Sequence, residues 1–407
     1  MKQVVLLFIL GLSCPIYSYS QVTSEPALEL VESIPIETTL DNPDIRNTFE
    51  VWLEMIGRAQ KTIDIEQFYI SDEPGKKLQD ILTAIYLAAQ RNVKIRIIVD
   101  ANMYRTYPES ADSLDRHINI EVRKLNFRKI TDGIQHAKYF IIDEKELFVG
   151  SQNFDWRALE HIHELGLRIN DTSISYAYRA IFNFDWNLAN DSITDFKKAQ
   201  FFAKQYSNSF FTIEKDSIII FPTYSPIGYI PDSTHWDETV IISLIDSAKL
   251  TLNLQFLQFS PFERRGETYF VIHDAILRAA KRGVKIRLIV SDWANGSTAV
   301  HALLKMSDLQ NLEIAFTEIP EWSGGYIPYA RVEHCKFIVA DEKAFWIGTA
   351  NCEKNYYYSS RNLGIAGTSS HIGKQLSHIF QKSWNSPYRQ SITPLGKYKA
   401  RKYGERK

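Results

Sequence analysis

Apolar positions recur along this chain with two periods, and the order of those periods is used twice. Near the start, Ala59-Gln60-Lys61-Thr62-Ile63-Asp64-Ile65 alternates with a period of two and predicts a strand. Leu78 to Arg91 then carries its apolar residues at helical spacing, and Val93-Lys94-Ile95-Arg96-Ile97-Ile98-Val99-Asp100 predicts a second strand. The second half returns this order through Ala248-Lys249-Leu250-Thr251-Leu252-Asn253-Leu254, a helix over Ile272 to Arg282, and Val284-Lys285-Ile286-Arg287-Leu288-Ile289-Val290. Each half closes with a further strand and a later helix, Tyr176 to Leu188 in one copy and His371 to Trp384 in the other. Strand, helix, strand at this spacing is a parallel α/β unit, so the chain reads as two similar α/β domains from an internal repeat, packed face to face.

What lies outside the repeat sets the boundaries. Lys2, the apolar run Val4 to Leu12 and the small residues Ser18-Tyr19-Ser20 predict an export signal over 1–20. A run of nine residues is too short to span a bilayer. Lipid attachment at Cys14 is the weaker reading, because Gly11 stands where such sites usually carry an aliphatic residue. The first half is expected over 21–189 and the second over 238–390, with 190–237 as a linker that has strands of its own and contributes to the substrate cleft. Residues 391–407, dense in Lys and Arg from Gly396, are expected to be a solvated, frayed tail.

Composition changes this picture little. With 407 residues, 45% of them hydrophobic, the chain can bury a large core. A net charge of -1 excludes a global pull toward polyanions, so any such binding must be local. After signal removal only Cys335 and Cys352 remain; they are read as buried free thiols with no catalytic role.

The chemistry sits at matching places in the repeat. His136-Ala137-Lys138-Tyr139-Phe140-Ile141-Ile142-Asp143 continues to Gly150-Ser151-Gln152-Asn153, and His334-Cys335-Lys336-Phe337-Ile338-Val339-Ala340-Asp341 continues to Gly348-Thr349-Ala350-Asn351. One His-x-Lys-x-x-x-x-Asp is a weak signal, whereas two with identical spacing through the Asn, at equivalent points of a repeat, are not coincidental. On a strand, His136 with Lys138, and His334 with Lys336, project from one face, while Ala137, Tyr139 and Ile141 enter a core. Asp143 and Asp341 complete the catalytic motif but fall on the opposite parity, which points to capping or pairing beside the site. Ser151, Asn153, Thr349 and Asn351 are the candidate substrate-binding residues, the amides as donors to phosphate oxygens.

The paired motif resembles the phospholipase D superfamily, and the resemblance spans nearly all of the mature chain. Outside the motif it is similar to the mammalian phospholipase-D-like lysosomal 5′-exonucleases that degrade single-stranded DNA and RNA. The residues that carry this are Leu30 to Pro35, Asp155-Trp156-Arg157, Glu164-Leu165-Gly166, Ile327 to Val332 and Trp384 to Tyr388. The resemblance implies one active site at the interface of the halves and phosphodiester cleavage through a covalent phosphohistidine, with no metal and no cofactor. It further implies His136 as nucleophile and His334 as general acid. Glu164 resembles the carboxylate that orients a catalytic histidine, whereas the equivalent place in the second half holds Asn362, which leaves open what orients the second histidine.

Single-stranded nucleic acid is the expected substrate, with Arg123, Lys124, Arg128, Lys129, Phe210, Phe211, Tyr326 and Tyr329 as candidate cleft residues. Phospholipid is the alternative, and no obligate protein partner is inferred. His161-Ile162-His163-Glu164 has the look of a metal motif without further clustered ligands and is read as structural.

Overall fold

The structure is a computed structural model and describes residues 26–189, 209–213, 216–261, 267–296, 299–398 and 403–404. The expected export signal and Cys14 lie outside these residues. Each half is built on one mixed sheet. The first runs, edge to edge, Arg46–Asn47, Leu28–Ser33, Glu164–Asn170, Glu146–Gly150, Tyr139–Ile142, Thr62–Gln67, Lys94–Asp100, Ile120–Leu125. The second runs Ser209–Ile213, Asp216–Ser225, Asn362–Thr368, Ala344–Gly348, Phe337–Ala340, Thr251–Phe256, Lys285–Ser291, Leu312–Thr317, Arg389–Ile392. The strand–helix–strand units predicted from periodicity form the parallel part of each sheet, and the motif strands return antiparallel beside them.

The cores explain why the halves stay together. Helices Thr48–Arg58 and Lys77–Gln90 cover the outer face of the first sheet, and Asp237–Ser247 with Val271–Lys281 cover that of the second. The inner faces share one core, in which Tyr139, Ile141, Leu165 and Tyr178 pack with Phe337, Val339, Ile365 and Phe380. Helices Thr172–Leu188 and Ser370–Trp384 lie in that shared layer, and the Tyr178 hydroxyl donates to the Gly364 carbonyl across it at 2.8 Å. Burying apolar area from both halves in one continuous core makes their relative placement part of folding.

The motif aspartates do local work. Asp143 accepts from the backbone N–H of Gln60, Lys61 and Thr62 at 2.9, 2.6 and 2.9 Å, so the strand expected from Ala59 begins only at Thr62. Asp341 accepts from Lys249, Leu250 and Thr251 at 2.9, 2.7 and 2.8 Å. Each opens a three-residue hairpin turn whose first two residues have positive φ, with Asp143 at 51° and Glu144 at 62°, and Asp341 at 54° and Glu342 at 52°. Aspartate tolerates that region better than most side chains, and its carboxylate then satisfies the neighbouring loop. The carboxylates of Asp143 and Asp341 thus hold the hairpin that carries the motif.

Two expectations at the boundaries are corrected. The 190–237 segment does contain strands, but Asp216–Ser225 is integral to the second sheet and takes the place that Leu28–Ser33 takes in the first. Ser33 stands opposite Glu164, and Ser225 opposite Asn362. Backbone pairing defines this equivalence, and it leaves no side-chain signature. The C-terminal segment is docked rather than frayed where it is described: Arg389–Ile392 closes the second sheet, Tyr398 packs on Phe316, and Tyr403 stacks on Trp293. Phe210 and Phe211 fall in the edge strand Ser209–Ile213. Among the described residues, no helix is long and apolar enough to cross a membrane.

If Asp341 is a cap, Asp341→Ala destabilises the protein by about 1–2 kcal/mol at neutral pH. Three backbone donors hold its carboxyl below the ordinary aspartate range against the opposing effect of burial. That contribution is present above the unfolded pKa of about 3.9 and fades as pH falls through the depressed native value. Urea unfolding at pH 7 and pH 3 checks it: the gap between wild type and variant should shrink in acid, with activity per folded molecule unchanged at pH 7.

Candidate active site

The halves are joined by two short parallel bridges, Gln135 with Arg361 and His163 with Glu333. In the first, His136 N–H donates to the Arg361 carbonyl and Arg361 N–H to the Ile134 carbonyl, both at 2.9 Å. In the second, His163 N–H donates to the Val332 carbonyl at 3.0 Å and His334 N–H to the His163 carbonyl at 2.9 Å. Extended chain alternates its side chains, so the residue after each bridged one faces the opposite way. His136 is thereby set beside Asn362, and His334 beside Glu164.

This crossing answers the question left by the sequence. Glu164 belongs to the first half but orients the histidine of the second: His334 Nδ1 lies 2.6 Å from Glu164 Oε2. Asn362 belongs to the second half and orients the first: His136 Nδ1 lies 3.1 Å from Asn362 Oδ1. The Asn362 amide is oriented by its surroundings, because Nδ2 donates to the Tyr356 and Ser360 carbonyls at 2.8 and 3.2 Å. Oδ1 must then accept, also receiving the Thr349 hydroxyl at 2.9 Å, so His136 Nδ1 is the protonated nitrogen and Nε2 keeps a lone pair.

Both motif lysines are fully buried, each with its ammonium on the carbonyl of its own motif histidine: Lys138 Nζ to His136 at 2.7 Å, and Lys336 Nζ to His334 at 2.6 Å. Phe68 lies against the His136 ring at 5.1 Å and under the Lys138 ammonium, and Tyr356 meets His136 edge-on at 4.9 Å. Neither aromatic was anticipated, because nothing in the motif spacing marks them. Asn351 Nδ2 donates to the Tyr356 hydroxyl at 3.1 Å, and the Asn153 and Asn351 side-chain carbonyls carry no hydrogen-bond partner.

Ser151 and Thr349 are corrected. Both are fully buried, and their hydroxyls serve neighbouring strands rather than substrate. Ser151 Oγ donates to the Leu165 carbonyl and accepts from Leu165 N–H at 3.3 and 3.0 Å, while Thr349 Oγ1 accepts from Leu363 N–H at 3.2 Å. They fix the strands that carry Glu164 and Asn362. Glycine is required just before them, since a Cβ on Gly150 would fall 2.7 Å from the Gly166 Cα.

The electrostatics are set by burial and by the two neighbouring ammonium groups. Burial depresses both histidines well below the ordinary imidazole range, and the two lysines push the same way. Burial and repulsion from Lys336 push Lys138 well down, and burial takes Lys336 to about 8. Glu164 is raised by burial to about 8 although both lysines oppose this. A phosphodiester placed between these groups supplies the missing negative charge and favours protonated lysines.

His161 is buried between Trp156 and Trp322 at ring distances of 5.5 and 5.0 Å, and burial lowers it to about 4. Among the described residues, the tight His/Cys/carboxylate group is His163, Glu333 and Cys335. Both His163 ring nitrogens already meet carboxylates, at 2.7 Å each, so the imidazole has no lone pair to offer a metal. Cys335 and Cys352 are buried free thiols. Arg123 is spent on the Trp186 ring and carbonyl, and Lys124 sits over Tyr104. Tyr326 donates to the Gly404 carbonyl.

The segments that carried the resemblance outside the motif converge on this interface. Arg157, doubly bonded to Asp155, donates to the Pro328 carbonyl at 3.1 Å, and Arg331 donates to the Ile36 carbonyl at 2.8 Å. Ser33 pairs with Glu164, and the Tyr388 hydroxyl of the second half accepts from Thr39 N–H of the first at 3.1 Å.

Two like α/β halves that jointly enclose twinned histidines and lysines define a two-domain enzyme of phosphodiester chemistry. A family model described as cardiolipin synthase, PLD-like domain, matches over residues 52–186 and again over 241–384. The chain belongs to the phospholipase D superfamily and is a phosphodiesterase of that superfamily. It is 26% identical over 392 residues to phospholipase D Z of Dictyostelium discoideum, covering 90% of this chain and 91% of that one. It is 29% identical over 409 residues to the 5'-3' exonuclease PLD3 of Xenopus laevis, covering 91% and 82%. Among solved structures, phosphatidylserine synthase of Haemophilus influenzae Rd KW20 superposes with a TM-score of 0.62 at 12% identity, covering 90% and 87%, which shows the shared fold.

Because the pocket sheds protons in the absence of an anion, inorganic phosphate should bind with proton uptake. With Lys336 near 8, uptake at that pH reaches about half a proton from this group alone. Affinity should fall as pH rises through this range. Calorimetry in buffers of different ionisation enthalpy measures it, and Lys336→Met should abolish both binding and uptake.

Proposed function

We propose that this protein cleaves phosphodiesters through a covalent phosphohistidine on His136, without a metal, and that it acts from the 5′ end of single-stranded nucleic acid. The observation that carries the mechanism is the inequality of the two orienting partners. Asn362 cannot exchange a proton, so it keeps His136 neutral with the Nε2 lone pair free, as a nucleophile requires. Glu164 can support a positive ring, so it suits His334 for donating a proton.

In the first step the His136 Nε2–P bond forms while the P–O bond breaks, and His334 protonates the departing oxygen. Lys138, Lys336 and the amides of Asn153 and Asn351 neutralise the charge that builds on the phosphoryl oxygens. His334, now neutral, then takes a proton from water, which attacks phosphorus, restoring His136 and protonated His334. The negative charge of the bound diester raises the depressed His334, which explains how a buried imidazole becomes an acid in the complex.

The nucleic-acid reading is supported by likeness to the exonuclease relative and by aromatic rings around His136. Besides Phe68 and Tyr356, Tyr69 stacks on Tyr107 at 5.1 Å, with the Tyr69 hydroxyl anchored on Asp155 at 2.7 Å. Such rings offer stacking of about 1–3 kcal/mol per base. Lipid phosphodiester cleavage is the second reading and rests on the relative named phospholipase D. We also propose export, from the signal-like start of the chain.

Two experiments test this. In EDTA, a 5′-hydroxyl single-stranded oligonucleotide should be shortened from its 5′ end without choline release from phosphatidylcholine vesicles; choline release alone would reverse the substrate assignment, and a need for added metal would refute the mechanism. His136→Asn and His334→Asn should each lose at least about 100-fold in kcat. A substrate with a p-nitrophenolate leaving group, which needs no proton, should give a single-turnover burst and a trapped phosphohistidine in His334→Asn but not in His136→Asn. The reverse pattern would exchange their roles.

A further inference from the structure

Behind each histidine pair, on the opposite side of the same backbone bridge, lies a buried ion cluster that crosses between the halves. Behind His136 and Asn362, Arg361 of the second half holds Asp185 of the first with bonds of 2.6 and 2.8 Å. It also donates to the Ser225 and Tyr229 carbonyls at 2.9 Å each. Behind His334 and Glu164 the geometry is reversed: the cation comes from the first half. His163 Nδ1 meets Glu333 Oε2 of the second half at 2.7 Å, and Nε2 meets Glu32 Oε1 at 2.7 Å. The ring is 1% exposed, and only a doubly protonated imidazole can donate to two carboxylates at once.

We infer that His163 is a positioning residue for the reaction, its imidazolium clamping Glu333 to Glu32 so that the His163–Glu333 bridge keeps His334 in register with Glu164. The chain connectivity makes this direct: His163 precedes Glu164, and Glu333 precedes His334. The anchors are themselves held. Asn42 Nδ2 lies 3.0 and 2.9 Å from the two Glu32 oxygens, and Ser383 Oγ donates to Glu333 Oε2 at 3.3 Å. Cys335 Sγ faces the His163 carbonyl at 3.6 Å.

The charged and titratable groups around the clamp are therefore Glu32, Glu333 and Cys335 on the core side, and Glu164, His334 and Lys336 on the cleft side. Burial opposes the His163 charge, but Cys335, Glu333 and Glu32 together hold it well above the ordinary imidazole range. The clamp is thus closed at neutral pH and opens as pH rises through that raised value, or as acid protonates Glu32, whose carboxyl burial raises. Its counterpart Arg361 is permanently charged. A buried cation stands at both equivalent places, and each meets a carboxylate of the opposite half, Asp185 for Arg361 and Glu333 for His163.

The inference uses the role proposed above for His334, so its test includes a reading that needs no turnover. His163→Gln alone leaves two carboxylates facing each other and is expected to unfold at a lower temperature. The double variant H163Q/E333Q keeps the net charge of the cluster and allows an amide–amide pair, so changes at His334 report position rather than field. In that variant, NMR titration of His334 in the ligand-free protein should shift downward by about one pH unit, as Glu164 loses its alignment. In turnover, kcat should fall at least about tenfold with KM within about twofold, and the alkaline limb of the pH profile should move down. An unchanged His334 titration and kcat in the double variant, whatever its melting temperature, would reduce His163 to a structural role and overturn the inference. A protein inactive on every phosphodiester, yet showing the NMR shift, would instead refute the proposed function and keep the clamp.

Discussion

The structure turns on two backbone bridges, each a pair of hydrogen bonds, that cross from one half of the chain to the other. Because the bridged residues lie one position before His136, Glu164, His334 and Asn362, the bridges decide which histidine meets which partner. The shared apolar core holds the sheets face to face, but apolar packing is non-directional and would tolerate small slips. Hydrogen bonds at 2.9–3.0 Å do not, and in extended chain a slip of one residue turns every side chain to the wrong side.

Around these bridges the protein accepts unusual costs. Two lysines, two histidines and Glu164 are buried within one pocket, and each shifts from its ordinary titration range as a result. Such a set is costly to bury, and its buried ammonium groups favour a negative charge among them. The ion clusters behind the pocket are the opposite case. There every charge has a partner at hydrogen-bond distance, and removing one member would leave another buried and alone. The site side stays electrostatically frustrated while the core side is satisfied, and the bridge between them transmits the rigidity of one to the other.

The asymmetry of the dyads gives direction to an otherwise near-symmetric pocket. Thr349 and the carbonyls of Tyr356 and Ser360 orient the Asn362 amide, and through it the tautomer of His136. Glu164 is met by the Ser151 side chain at the equivalent place, but as an acid it can share a proton with His334. Two halves of common design thus differ in what their motif histidine meets, because one residue in the repeat is an amide and its counterpart an acid.

Much of this was legible in the amino-acid sequence. Periodicity determined the two α/β repeats, because strand and helix register apolar side chains at different spacings, and the identical His-to-Asn spacing determined that the site is double. The parity of Asp143 and Asp341 determined that they face away from it. Tertiary structure alone decided the rest. The strand Asp216–Ser225 joins the second sheet through backbone pairing, which is blind to side chains. Tyr398 and Tyr403 anchor a tail whose charge suggested solvent. The pairing of His334 with Glu164 and of His136 with Asn362, 170 and 226 residues apart, depends on how two folded halves dock. Local pattern carries no information about that, since the residues in contact share neither a strand nor a half.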